Sequence, residues 1–323
     1  MKTEILGFWS DWNEGKASIE GSPLWSDAVV AHVGHPINDL AGRAGLVTGF
    51  LDPLRRAFPD VSRETAIAIS GEFSGGSWVA SYGHYVGTFA QEFLGIPATR
   101  RVASLRFGEF CRVENGTIVE VYAILDWIDL MRQAGVYPLA PPLGSAEAWP
   151  APSTHDGIVE AASERETEKS LRLVEAMIGG LMEYDGKTLE SMGMPRFWTP
   201  SMMWYGPAGI GSTRGLAGFQ DHHQRSFLAA FPDRRGGNNK CRIAEGNYVA
   251  STGWPSIRAT HQGSGFLGLP PTGRPITMRV MDFWRRDGDL LAENWVFIDL
   301  PDLLMQMGLD VFEQMRGRAL GLA

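Results

Sequence analysis

The sequence predicts an α+β fold built twice in tandem, each copy a curved antiparallel sheet wrapped on helices around a pocket. Three observations carry this expectation. Blocks recur in the same order at one offset of 173 residues: "AGLVTGFLDPLRRAFPD" from Ala44 with "AGFQDHHQRSFLAAFPD" from Ala217, "LGIPATRR" from Leu94 with "LGLPPTGR" from Leu267, and Glu109–Gly135 with Asp282–Gly308, ungapped. Each copy runs through helical patterns first and four strand-like segments afterwards, the order of an α+β unit rather than of a parallel βαβ fold. Gly, Pro and Asp separate those segments, as hairpin turns require.

Taken in order, each copy opens with an amphipathic helical stretch, closing on "NEGK" in the first and "YDGK" in the second. A short extended piece follows, Trp25 to Pro36 and Phe197 to Pro207, then a helix stopped by the proline of "AFPD". In the second copy the strands are expected at Ile243–Thr252, Ser256–Gly265, Ile276–Arg285 and Leu290–Ile298. Asp126 and Asp299 stand where the last helix of each copy needs an N-cap. "YPLAPPLGSAEAWPAPSTHDG" is rich in Pro, Ala and Ser and reads as a linker. The expected domains are therefore residues 1–140 and 159–323, with residues 141–158 between them. The two copies are expected to pair within one molecule, a homo-oligomer being the further option.

The totals exclude several function classes. Of 323 residues, 29 are Lys or Arg and 37 are Asp or Glu, a net charge of −8 that argues against a nucleic-acid partner. Apolar runs are too short for a transmembrane helix, and the amino end lacks the pattern of a secretory signal, so no membrane partner and a cytoplasmic location are expected. Cys111 and Cys241 have no zinc or disulfide spacing. "HVGH" (His32, His35) precedes a proline in extended chain, and His222 and His223 point about 100° apart on a helix, so no metal site is expected.

The chemistry lies in the alternation of the strands. Ile276, Met278, Val280, Asp282 and Trp284 share one face, apolar except for a carboxylate. His261 falls on the less polar face of the preceding strand, with Ile257 and Ala259. The first copy carries Glu109 on the face of Leu105, Phe107 and Cys111, and His84 with Tyr82 and Val86. A poorly solvated carboxylate rises toward neutral pKa and becomes a general acid or base, as in the ketosteroid isomerase case among established enzymes. A nearby imidazole would donate to a carbonyl oxygen while the adjacent carbon loses a proton. Enolisation followed by aldol or isomerisation chemistry needs no metal or cofactor. The expected guest is a small apolar carbonyl compound, bordered by Met278 and Val280 and stacked on Trp204, Trp254 and Trp295. The alternative is a non-catalytic duplicated module that holds a small ligand or supports dimerisation.

"HQGSGFLGLPPTGRPI", "MDFWRRDGDLLAENW" and "IDLPDLLMQMG" resemble the signatures of the SnoaL-like polyketide cyclases, in the nuclear transport factor 2-like superfamily. The resemblance implies a cone-shaped α+β barrel with an internal ligand and an aspartate acid/base that closes a polyketide ring by intramolecular aldol condensation. Asp282 occupies that motif position, and His261 matches the family's pocket histidine. The first copy departs from the pattern: "LGIPATRR" lacks the P-T-G triplet, and Glu109 replaces the aspartate. The second copy is thus the expected active one.

Overall fold

A computed structural model describes residues 1–147 and 149–321. The chain divides into two compact units, one of Met1–Leu139 with Asp299–Ala323, the other of Ala140–Ile298. Both are α+β, and each is built on an open, mixed sheet rather than on a closed, wholly antiparallel barrel.

In the first unit the strands are β1 (Trp25–Val33), β2 (Asp39–Ala41), β3 (Ser62–Phe73), β4 (Gly76–Thr88), β5 (Val102–Glu114) and β6 (Thr117–Leu125), in the order β2-β1-β6-β5-β4-β3. Among the described residues of this unit, only β1 and β6 pair in parallel. The helix Lys2–Asn13 turns Ile5, Phe8, Trp9 and Trp12 into the core, at the helical spacing that makes one apolar stripe. The helical run to Ala57 is interrupted by a π-helical turn, Val47–Leu51, and ends before Pro59. Asp126 caps its helix by accepting from the Asp129 amide at 3.1 Å.

Residues 299–321 belong here and not to the second unit, contrary to the boundary expected from the repeat. Asp299 explains part of this. One carboxylate oxygen accepts from Asp302 N at 3.4 Å, capping the helix Leu300–Met307, and the other accepts from the His35 amide at 3.0 Å. Phe312 of the helix Val311–Ala319 then meets the His35 ring edge-on at 6.1 Å.

The second unit contains β7 (Trp198–Tyr205), β8 (Thr213–Arg214), β9 (Arg235–Gly236), β10 (Asn239–Glu245), β11 (Tyr248–Thr260), β12 (Pro275–Asp287) and β13 (Leu290–Ile298). The order is β10-β11-β12-β13-β7-β8, with β9 on β11 and, among the described residues, only β13–β7 parallel. The helix Glu164–Met182 lies against β10 and β11. A second helical run repeats the π-helical turn of the first unit at the same offset, Gln220–Gln224, before ending at Ala230. The strand expected over 243–252 is in fact two. A turn at Gly246, whose φ of 59° suits glycine, ends β10, and β11 continues through a bulge between Gly253 and Ile257.

Much of the segment expected to be a linker is part of this unit. Trp149 donates to Gly206 O at 2.7 Å and packs edge-on against Phe297 at 4.9 Å. Ser145 forms a β-bridge with Ser212, and Ser153 donates to the Glu293 carboxylate. The Pro-rich composition had read as a linker; the segment is instead an extended strap tied to the unit by these hydrogen bonds.

Candidate active site

In the second unit, helix, π-helical turn and sheet line a partly open apolar cavity of about 430 Å³, within the range of small-molecule sites. Asp282 lies in its wall, joined by Met278, Val280 and Trp284 from the same face of β12, as the alternation implied. The strand register sets its neighbours: Ser251 on β11 and Val296 on β13 lie directly opposite. Asn294 Nδ2 donates to the carboxylate at 3.2 Å and to Phe283 O at 3.2 Å. Of Glu293 and Asn294, alternation alone left the inward one open; Asn294 faces the cavity. Glu293 points the other way, ion-paired with Arg285 and accepting from Tyr205 at 3.2 Å.

Burial pushes the Asp282 carboxyl up to about 7, with the Asn294 hydrogen bond and the more distant Arg242 charge pulling it partly back. The cause is the one expected: a carboxylate in apolar surroundings loses the hydration that favours its charge, and one amide donor restores little of it. At neutral pH the group stands between its two protonation states.

His261 is not its partner. It is fully buried at the far end of β11, next to Phe231, with Nδ1 on Thr272 Oγ1 at 3.1 Å, and burial lowers its pKa. Its amide donates to Arg274 O, so it stands eight positions from Asp282 along β12, roughly 26 Å of strand. Parity was right, but the register was invisible.

The imidazole that lines the cavity is His223, on the π-helical turn. It stacks on Trp204 at 4.5 Å, burial pushes its pKa down to about 3, and Nδ1 has no hydrogen-bond partner. It is therefore neutral at working pH. Sequence reasoning weighed it only as half of a metal pair. The usable signal was the repeat itself, which sets His223 over the core aromatic Phe50.

Of the expected stacking residues, Trp204 lines the cavity and Trp254 and Trp295 do not. Trp254 carries the Arg279 guanidinium 4.7 Å above its ring. Trp295 stacks on Tyr205 at 5.1 Å and donates to Pro150 O, on the strap side of β13.

In the first unit Glu109 occupies the matching position, opposite Ser81 as Asp282 is opposite Ser251. Its surroundings differ. Arg63 grips both oxygens, Nη2 to Oε1 at 2.8 Å and Nη1 to Oε2 at 3.1 Å, and also donates to Ser81 and Tyr85 at 3.2 Å. The guanidinium sits 4.2 Å from the Trp9 ring and 4.0 Å from that of Phe107. His84 does not join them. It pairs with Arg106 on the opposite face of the sheet, where burial and that arginine push its pKa down to about 4. A carboxylate clamped by a buried arginine is a structural ion pair, not a free base.

The family model of the SnoaL-like polyketide cyclases matches residues 3–134 and again 188–307. The chain belongs to that family. Two matches on one chain also fit the tandem duplication read from its repeats. Among solved structures it is similar to AclR, a candidate hydroxylase from Streptomyces galilaeus, at 24% identity, TM-score 0.35, over 42% of this chain and 94% of that one. IdmH, a candidate polyketide cyclase from Streptomyces antibioticus, matches at 24% identity and TM-score 0.36, over 42% of this chain and 99% of IdmH. A SnoaL-like cyclase candidate from Jannaschia sp. CCS1 matches at 17% identity and TM-score 0.35, over 44% and 95%. Comparison with curated proteins gives no match.

Proposed function

We propose that the second unit is a cofactor-independent cyclase or isomerase of carbonyl compounds, working by intramolecular aldol chemistry, and that the first unit is a scaffold without turnover of its own. Ionised Asp282 takes a proton from the carbon next to a carbonyl of the bound guest. The resulting enolate oxygen receives a hydrogen bond from neutral His223, whose Nε2 is the nitrogen left for a guest when Nδ1 is buried. The nucleophilic carbon attacks a second carbonyl of the same molecule, forming the C–C bond, and the Asp282 proton passes to the new alkoxide. Asn294 holds the carboxylate in one orientation throughout. Trp204 and the apolar wall keep the guest flat and exclude the water that would quench the enolate.

One observation carries this reading: a carboxyl with a pKa of about 7 in the wall of an apolar cavity with room for a guest. Turnover of candidate β-keto substrates by the Asp282→Asn variant tests it. Activity should disappear into the background, and undiminished activity would end the assignment.

A further inference from the structure

The cavity has a second functional group that the aldol scheme leaves idle. Arg242 on β10 lies opposite Ser251, which lies opposite Asp282. All three line the cavity, so arginine, serine and aspartate form one row across three strands, the outer two about 10 Å apart at the backbone. Arg242 Nε is buried with no hydrogen-bond partner. Its Nη1 stands 3.7 Å from Glu175 Oε1, and the Glu175 side chain is 50% exposed, too long and too wet a contact to satisfy a guanidinium. Arg234 and Arg235 also border the cavity, so its lining holds three arginines and one carboxyl. The corresponding row of the first unit reads Ala68, Ser81, Glu109; its arginine stands directly on the carboxylate instead.

Resting on the reading of this cavity as a substrate site, we infer that its guest carries an anionic group, a carboxylate on a flat apolar frame, which Arg242 holds while the reacting carbon faces Asp282. The Arg242 side chain is 23% exposed while its Nε is closed off, so the terminal nitrogens are the ones left for a guest, and a guanidinium matches a planar carboxylate in shape and charge. The surplus of positive charge in the lining would draw an anion in and orient it, acid end toward β10. A neutral guest of the same shape offers Arg242 at most a carbonyl oxygen and no opposite charge, the weaker of the two hydrogen bonds.

A matched pair of probes tests this with the full chain: 2-naphthoate and its neutral analogue 2-acetylnaphthalene, titrated by calorimetry near pH 6, where Asp282 holds its proton. Naphthoate should bind ~10-fold tighter or better, with the advantage shrinking as salt rises. Arg242→Gln should remove the advantage, changing the affinity for the ketone far less than that for naphthoate, and Arg242→Lys should keep part of it. Glu175→Gln, at an exposed side chain, should strengthen naphthoate binding alone. Equal binding of the two probes, or a preference that survives Arg242→Gln, overturns the inference while the cavity reading stands. Failure of both probes to bind overturns both. If discrimination holds but Asp282→Asn leaves turnover intact, the chemistry falls and the anionic guest remains.

Discussion

Glu109 and Asp282 hold the same place in two copies of one design, yet their surroundings differ in charge and volume, and on that difference we propose opposite roles for them. The difference comes from few side chains. Arg63 of the first unit aligns with Gly236 of the second, Tyr85 and Ile257 take the same register position beside them, and Phe107 corresponds to Val280. Large groups in the first unit fill the space over the sheet and neutralise the carboxylate; their small counterparts leave a hollow and strand it. An inward acid is thus a scaffold element or a reagent according to whether its neighbours supply a counter-charge and volume.

The comparison can be broken in graded ways. The largest expected effect is on catalysis: Asp282→Asn should lower kcat by about 10²–10⁴-fold, measured on a β-keto substrate, whereas Glu109→Gln should leave kcat within error. Next comes stability. Arg63→Met strands a buried carboxylate and should destabilise the first unit by about 3–5 kcal/mol in denaturant unfolding. The double variant Arg63→Met with Glu109→Leu should recover most of that loss, because the desolvation cost goes with the charge.

A smaller effect follows from importing the first unit's arginine. Gly236→Arg should occupy the cavity and drop the Asp282 pKa by about 1–3 units, seen as weaker 2-naphthoate binding and a shift of the pH–rate profile to lower pH. The smallest effect is the pH dependence of stability. Asp282 has its pKa raised in the folded state from the ordinary 3.8 to about 7, so between those values the folded chain binds more protons than the unfolded one. Its contribution is fully present below pH 4 and lost as pH rises to 7. Asp282→Asn should flatten the stability curve over that window, while turnover by the unaltered chain should rise with pH through 7.

Much of this was legible in the residues. The strand alternation placed Asp282 with Met278, Val280 and Trp284 on one face, and the repeat showed that the position is used twice. Register was not legible. The bulge after Gly253 and the continuous run of β11 carry His261 to the far end of the strand, and antiparallel pairing sets His84 behind the sheet from Glu109. Period-two patterns report which face a residue takes within its own strand, not which residue stands across from it. The Arg63 clamp joins residues 46 positions apart and left no local mark, although the aligned repeat set arginine against Gly236. The position of the last two helices was equally hidden, since nothing in an amphipathic helix names the sheet it will cover.

The direct test is a carbon-13 NMR titration of the side-chain carboxyls, with the Asp282 resonance assigned by its loss in Asp282→Asn. A midpoint near pH 7 is expected for a carboxyl in apolar surroundings with one amide donor. A midpoint at or below the ordinary 3.8 would mean that Asp282 is solvated or paired like its counterpart in the first unit, contradicting its role as the base.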